Sequence, residues 1–545
     1  MSDVIDDFIE MFRKSISFEP EPGRYAKPRP YRNASVRLRN SSIFDFEERR
    51  RLVEGTAGLN VFQFPADRIP GCDLLSDSGT TTMTMEQWAA MLLGDEAYGS
   101  NEGYFELVEQ VAETFGPSWR SKNERSSAKT LFIFHQGRAA ENAFFSVLAR
   151  TLANRETRDT GGLSDSLLPE LKRRIEDRAR FIAETSESGR VPYYIVPSNS
   201  HFDTTEGNIE DKMMVPLNLP CTEHTSGDES FPFRGNMNLE ELKNLLENEA
   251  SRVPVVYITI TNNTGGGQPV SMENLKEIRK ITRRFNVPFF FDACRFAENA
   301  WFIKQREKGY ADKGIRDIVH EMFELADGFH ISLKKDGLVN IGGAVMIKED
   351  GDFVKRYPDF REHLTDYQIM TEGHPTYGGL AGRDLKATAE GLRTVVREDY
   401  LEYRISQVKR FGDRLASLGI PMIRPFGGNA VYIDMDRFFG EGARDEEFKG
   451  IAFTALLLIA GHRFCELGLY AFGRFNGSEE MPPDPRMNYV RAAIPRLAYE
   501  DQDLMSAAEA VKVLYENKDK IPGVRVDYGR NLKLRHFKGR FSFLK

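Results

Sequence analysis

Between residues 253 and 348 apolar and polar positions change in blocks. VPVVYITIT (253–261) is apolar nearly throughout, SMENLKEIRKITRRF (271–285) spaces its apolar residues as a helix does, and VPFFFDA (287–293) is continuous again. Continuous runs of this length predict strands buried on both faces, and the middle segment predicts an amphipathic helix. AENAWFIKQREKG and GIRDIVHEMFELA predict two more helices before the strand GFHISL (328–333). Strand and helix in alternation imply an α/β fold with a mostly parallel sheet covered by helices. Ligands of such sheets bind beyond the carboxyl ends of the strands. Asn263 stands there after the first strand, Asp292 and Arg295 after the second, and Ser332, Lys334 and Lys335 after the third. Upstream, LFIFHQGRAAENAFFSVLAR is a strand-like run that breaks at Gln136-Gly137-Arg138 and resumes as an apolar helix. Within a segment of about 155–190, Leu168, Leu171, Ile175 and Ile182 recur at helical spacing, which predicts one extra surface helix.

The chain of 545 residues is long enough for about two to four domains. With 82 acidic against 74 basic residues its formal charge is -8, so no global basic field favours nucleic acid or anionic lipid. The longest apolar run, IAFTALLLIA (451–460), is far short of the ~20 residues of a membrane helix, and MSDVIDDFIEMFRKS lacks the features of a signal peptide. Cys72, Cys221, Cys294 and Cys465 are far apart and too few to staple such a chain, which fits a reducing compartment. The expectation is a cytoplasmic protein with a small-molecule partner.

The strand-end residues define that partner. A glycine at 137 lets the backbone approach an anion, Arg138 adds charge, and the helix start offers free N–H groups, together a phosphate cup. Combined with an aspartate and a lysine at later strand ends, this set suits pyridoxal 5'-phosphate, which needs an anion site, a carboxylate for its ring nitrogen and a lysine for its aldehyde. An adjacent carboxylate favours the protonated ring. The residue pattern alone does not choose between Lys334 and Lys335.

DACRFAENAWFIKQREKGY, LKKDGLVNIGG, LLSDSGTTTMT, GDEAY, HQGRAAEN, NNTGGGQPVSMENL and HPTYGGL resemble the β-eliminating lyases, the family of tryptophanase and tyrosine phenol-lyase. The likeness runs from about Asn60 to the C-terminus and leaves out the N-terminal stretch, the 155–190 segment and loop sequence near 476–486. It implies an aspartate aminotransferase-like type I fold. Residues 80–385 would form the large cofactor-binding domain and 386–545 a smaller α+β domain, with 1–79 an N-terminal extension and part of that smaller domain. It further implies that Lys335 binds the cofactor covalently, with Lys334 an auxiliary charge. Gln136, Gly137, Arg138 and Ser332 would hold the phosphate, and Asp292 would face the ring nitrogen. Arg295 and Asn263 would lie beside the phenolic oxygen, and Phe202 would stack on the ring.

For the substrate, the resemblance assigns Arg491 in NYVRAAIPR to the α-carboxylate and Ser78 in SDSGT to a supporting contact. Tyr98 in GDEAY would donate a proton near the leaving group from a neighbouring subunit. Glu96, Gly79 and Asn340 would surround a monovalent cation, usually potassium, at the subunit boundary of a homotetramer. The chain departs from the family in reading Glu-Ala-Tyr-Gly-Ser-Asn from Glu96, where the family reads Glu-Ala-Tyr-Ala-Gly-Ser. Phenol-lyases place arginine, threonine and phenylalanine where this chain has Leu467, Asp203 and His536. All three positions resemble the tryptophan-cleaving members of the family, and the chemistry of two agrees, since an indole N–H wants an acceptor such as Asp203 and its apolar ring is better bordered by Leu467. The implied reaction is cleavage of L-tryptophan to indole, pyruvate and ammonia. A phenol-lyase, another lyase, an aminotransferase, or a binding protein that keeps the fold are the competing readings.

Overall fold

The apolar runs fold as strands, here in a computed structural model that describes residues 2–15, 45–121, 129–153, 162–440, 443–484 and 486–544. Two compact units result, residues 83–402 and residues 1–82 with 403–545. The larger contains β1 (Leu131–Phe134), β2 (Tyr194–Ser198), β3 (Met214–Asn218), β4 (Val256–Thr259), β5 (Phe289–Asp292), β6 (Gly328–Ser332) and β7 (Gly343–Ile347). Its main sheet has the order β1-β7-β6-β5-β4, with β4, β5 and β6 parallel and β7 antiparallel to both neighbours. Four of the five strands therefore share one direction. The reversal of β7 has a plain cause: no helix lies between β6 and β7, and a parallel return needs a long crossover. β2 and β3 form a separate parallel pair.

Helices bury both faces of the main sheet, as continuous apolar strands require. On one face Phe144, in the helix Gly137–Ala153, lies 6.0 Å from Tyr257 and 5.0 Å from Phe290 between ring centres. On the other, Phe329 is surrounded by Phe115, Trp119 and Phe323 at 4.9, 4.8 and 4.7 Å. The expected inserted helix is Pro169–Thr185, which buries Leu171, Ile175, Ala179 and Ile182. Leu168 is not part of that stripe. It is the N-cap and 37% exposed, because Pro169 suits the first helical position and starts the helix one residue later. Residues 154–161 of this segment lie outside the described residues.

The larger unit runs on to Glu402. Helix Gly382–Val395 stays with the larger unit because it packs on helices Met85–Leu92 and Glu102–Phe115. Gln87 donates to the Ala387 carbonyl at 3.1 Å, and Lys386 pairs with Glu102 and Glu106 at 3.0 and 3.1 Å.

In the smaller unit, strand Tyr489–Ala493 is the centre of an antiparallel sheet, between Ala430–Asp434 and Cys465–Leu467. The apolar run at 451–460 becomes helix Lys449–Ala460, buried on every side. Part of its cover is helix Ser2–Ser15, whose Ile5, Phe8, Ile9 and Phe12 are fully buried. Each such side chain stabilises by at most about 1.5–3 kcal/mol, so this part of the N-terminal extension belongs to the core. Residues 16–44 lie outside the described residues. Among the described residues no helix is long and apolar enough to cross a membrane, and all four cysteines are unpaired and buried.

Candidate active site

β1 ends at Phe134, and the chain turns through His135 and Gln136 into helix Gly137–Ala153. The turn is pressed against the end of β6. A Cβ at Gly137 would stand 2.5 Å from the Ser332 Cβ, closer than two carbons can pack, so only glycine permits the approach. Arg138 follows in the first turn, and its charge reaches Lys334, whose ammonium is lowered by burial and then by Arg138 and Lys335. A helix start, an arginine in its first turn and a serine pressed against it are the donor set that an anion cradle needs.

The lysine turn is fixed by its aspartate. Lys335 donates its backbone N–H to Ser332 at 3.2 Å, and the Asp336 N–H reaches the Cys294 carbonyl at 3.3 Å. The fully buried Asp336 carboxylate accepts from the Ala297 and Glu298 amides at 2.9 and 3.4 Å. It caps helix Phe296–Arg306 and locks the turn to the end of β5. The Lys335 Nζ then lies 5.8 Å from the centre of the Phe202 ring.

Asp292 closes β5 and is paired in register with His330 on β6. Burial would push its carboxyl up, but the charges of His330 and Lys335 outweigh burial and hold it well below the usual carboxylate range. Asp292 is therefore ionised inside the protein. Arg295 and Asn263 are both buried, and the Arg295 N–H bonds the Ile260 carbonyl at 3.1 Å, which joins the loops after β4 and β5. Asn199 ties β2 to β4, accepting from the Thr259 N–H at 2.8 Å and donating to its carbonyl at 3.1 Å.

Residues 73–510 match the family described as beta-eliminating lyase. The chain belongs to this family. It is 40% identical to the tryptophanase of Rhodobacter capsulatus over 498 residues, 91% of this chain and 95% of that one. It is 34% identical to the tyrosine phenol-lyase of Clostridium tetani over 498 residues, 91% of this chain and 94% of the other. A Pyrococcus structure, protein-A1, covers 88% of this chain and 100% of its own with a TM-score of 0.51 at 14% identity, a likeness of fold. This is a pyridoxal-phosphate-dependent lyase with an aspartate aminotransferase-like fold. The residues fit the cofactor: a cradle that a Cβ at 137 would obstruct, an ionised buried carboxylate, and a lysine beside an aromatic ring.

The lyase's substrate-side candidates lie in the smaller unit. Arg491 is central in its sheet, buried, and donates from Nη2 to the Leu75 carbonyl at 2.9 Å. Ser78 is half-buried in a loop that the fully buried Asp77–Arg496 pair fixes at 3.0 Å, and Gly79 follows it at φ 73°. Leu467 is buried in an apolar cluster with Ile423, Tyr432 and Cys465, bordered by Phe62. The buried His536 ring lies 5.6 Å from the Phe62 ring.

Asp203, in the larger unit, is buried and begins helix Asp203–Asp211 directly after Phe202. Tyr98 is 80% exposed beside His374 and Tyr377, at 5.8 and 5.6 Å between ring centres. Glu96 and Asn340 are also exposed, with Glu96 3.5 Å from Arg383. Gly79 belongs to the other unit.

Four participants were missed in the sequence pattern. Glu141 and His330 contact each other at 3.1 Å beneath Asp292. Asp336 caps the neighbouring helix, and Glu466, next to Leu467, has its carboxyl raised to about 7 by burial. Strand alternation signals one of them: Gly328, His330 and Ser332 share a face, so His330 points where Ser332 points.

Proposed function

We propose that this lyase cleaves L-tryptophan to indole, pyruvate and ammonia, as a cytoplasmic homotetramer with potassium at the subunit boundary. The observation that carries the reading is the convergence of Lys335, the ionised Asp292 and the cradle of Gln136, Gly137, Arg138 and Ser332 at neighbouring strand ends. When bound, pyridoxal phosphate supplies a cationic ring that accepts the electron pair left at the substrate's α-carbon. Arg491 grips the α-carboxylate through its planar guanidinium. The Lys335 Nζ removes the α-proton, and Asp292 remains ionised to face the ring nitrogen. The Tyr98 Oη donates a proton to the indole carbon that bears the side chain.

Selection of tryptophan rests on Leu467, which lies among apolar residues where a guanidinium would lack a partner. Asp203 accepts the indole N–H. Assembly has its own support, because Met85, Trp88, Leu92 and Leu93, just before Glu96 and Tyr98, expose apolar side chains at 59%, 39%, 88% and 72%. A face of this kind suits cover by a second copy, which would deliver Tyr98 to the partner's site. The test is incubation with tryptophan, tyrosine and S-alkyl cysteine while pyruvate, indole and phenol are measured. Tryptophan is expected to exceed tyrosine in kcat/KM by at least ~10-fold, about 1.4 kcal/mol of transition-state binding. Phenol released faster than indole would reverse the choice of substrate.

A further inference from the structure

His330 is 1% exposed, and its Nε2 lies 3.1 Å from the Glu141 Oε1 and 3.5 Å from the Asp292 Oδ1. Glu141 stands one turn into the helix that begins at Gly137, so the helix that frames the anion cradle also carries the histidine's anchor. The Glu141 carboxylate accepts from the Thr204 and Thr205 hydroxyls, each at 3.1 Å, on the helix that follows Phe202. A single buried chain of contacts therefore links four elements: the helix that begins at Gly137, the helix after Phe202, β6 with Lys335 beyond its end, and β5 with Asp292.

The charges around the imidazole leave one arrangement in balance. Asp292 faces it from β5, Glu141 from the cradle helix and the Tyr257 ring from β4 at 5.5 Å. Tyr257 stays neutral because burial raises its hydroxyl far above the usual value. His201, in the loop after β2, is lowered to about 4 by burial and rests against the Val196 carbonyl, so it is neutral too. Two buried carboxylates in contact with one imidazole would repel each other strongly unless that imidazole were charged. Lys335 is the other nearby cation, and its ammonium is given up when it is linked to the cofactor.

We propose that His330 is a positioning residue: its imidazolium, anchored by Glu141, holds the Asp292 carboxylate ionised and oriented for the cofactor's ring nitrogen. This rests on the reading of Asp292 as the ring-nitrogen partner. Without the imidazolium, the carboxylate becomes more basic and draws the shared proton from the ring nitrogen toward itself, so the ring is a poorer electron acceptor.

The test uses holoenzyme reconstituted with pyridoxal phosphate labelled with 15N in the ring. His330→Gln keeps a polar group without the charge, and His330→Leu removes both. In each variant the 15N signal should move toward the unprotonated position, while kcat for tryptophan falls by about 10-fold or more and KM changes by less than about 3-fold. Glu141→Gln should shift the signal the same way by less. An unchanged 15N signal in a folded His330→Gln holoenzyme overturns the proposal. So does a metal ion that is stoichiometric in the parent and lost in His330→Leu, since Glu141, Asp292 and His330 would then be its ligands. Asp292→Asn separates the two readings. If the ring stays protonated in it, the Asp292 assignment fails; if the ring loses its proton there but not in the His330 variants, only the role of His330 fails.

Discussion

In the larger unit the buried Glu141, Asp292 and His330 form a network of charges with the half-buried Lys335 near it, whereas in the smaller unit Arg491 rests on a backbone carbonyl and Leu467 lies among apolar side chains. The first region is held by mutual neutralisation, so removing any member leaves another charge buried without its counterpart. At Leu467 the second is held by packing, where a change of shape alters fit without stranding a charge. On the proposed assignment, cofactor chemistry sits where substitution is least tolerated, and substrate choice sits where a few groups can change selectivity by about 1–3 kcal/mol each. Family members with different leaving groups are what such a division allows.

The largest effect expected from breaking this contrast is at Lys335. Lys335→Ala should lose the covalent link to the cofactor and reduce turnover by ~10³-fold or more, the scale of a lost general base combined with a lost attachment point. Lys334→Ala should keep the link, because it is the Lys335 Nζ that lies 5.8 Å from the centre of the Phe202 ring. Borohydride reduction followed by peptide mass mapping reads this directly, and an adduct on Lys334 would exchange the two roles.

Much of the larger region was legible because buried parallel strands print themselves as apolar runs and put their polar residues at one end. Asn263, Asp292, Arg295 and Ser332 all stand where that rule puts them. What the pattern could not convey was contact between elements distant in the chain. Glu141 looks like any glutamate on an apolar helix, and its role depends on His330, which arrives from a strand far along the sequence. Asp336 was visible as part of Lys-Lys-Asp, yet its function as a cap exists only once helix Phe296–Arg306 is packed beside it. The reversal of β7 was available in principle, since the chain from Ser332 to Gly343 lacks a crossover helix. In the smaller unit Arg491, Ser78, Leu467 and His536 carry no periodic signal, and their assignment came from family likeness.

A second prediction tests whether the two regions are energetically separate. Arg491→Leu should lower kcat/KM for tryptophan by about 10- to 100-fold, the equivalent of about 1.5–3 kcal/mol for hydrogen bonds to a charged group. The visible absorption of the bound cofactor should stay unchanged. Titration of the apoprotein with pyridoxal phosphate provides the check, and a matching loss of cofactor affinity would show that the two regions are not energetically separate.

The smallest effect concerns Glu466, a buried acid of the smaller unit. Burial raises its carboxyl to about 7, against the opposing pull of the Tyr470 N–H, His536, the Ala471 N–H and Arg535. The folded state therefore holds this proton more tightly than the unfolded chain, where the group titrates near 4.5. Its contribution to stability is fully present below that lower value and is lost as pH rises through about 7, the sign opposite to that of a salt-bridged carboxylate. Above pH 7 an ionised carboxylate must be tolerated in a buried position. Glu466→Gln keeps an acceptor for the Tyr470 N–H, which the carboxylate now binds at 3.2 Å, and removes the titration. Thermal melts from pH 5 to 8.5 should then be flatter for the variant than for the parent, with the variant gaining on the order of 1 kcal/mol relative to the parent by pH 8. Two melting curves that stay parallel across this range would mean that Glu466 is ionised throughout, with His536 and Arg535 as its effective counter-charges.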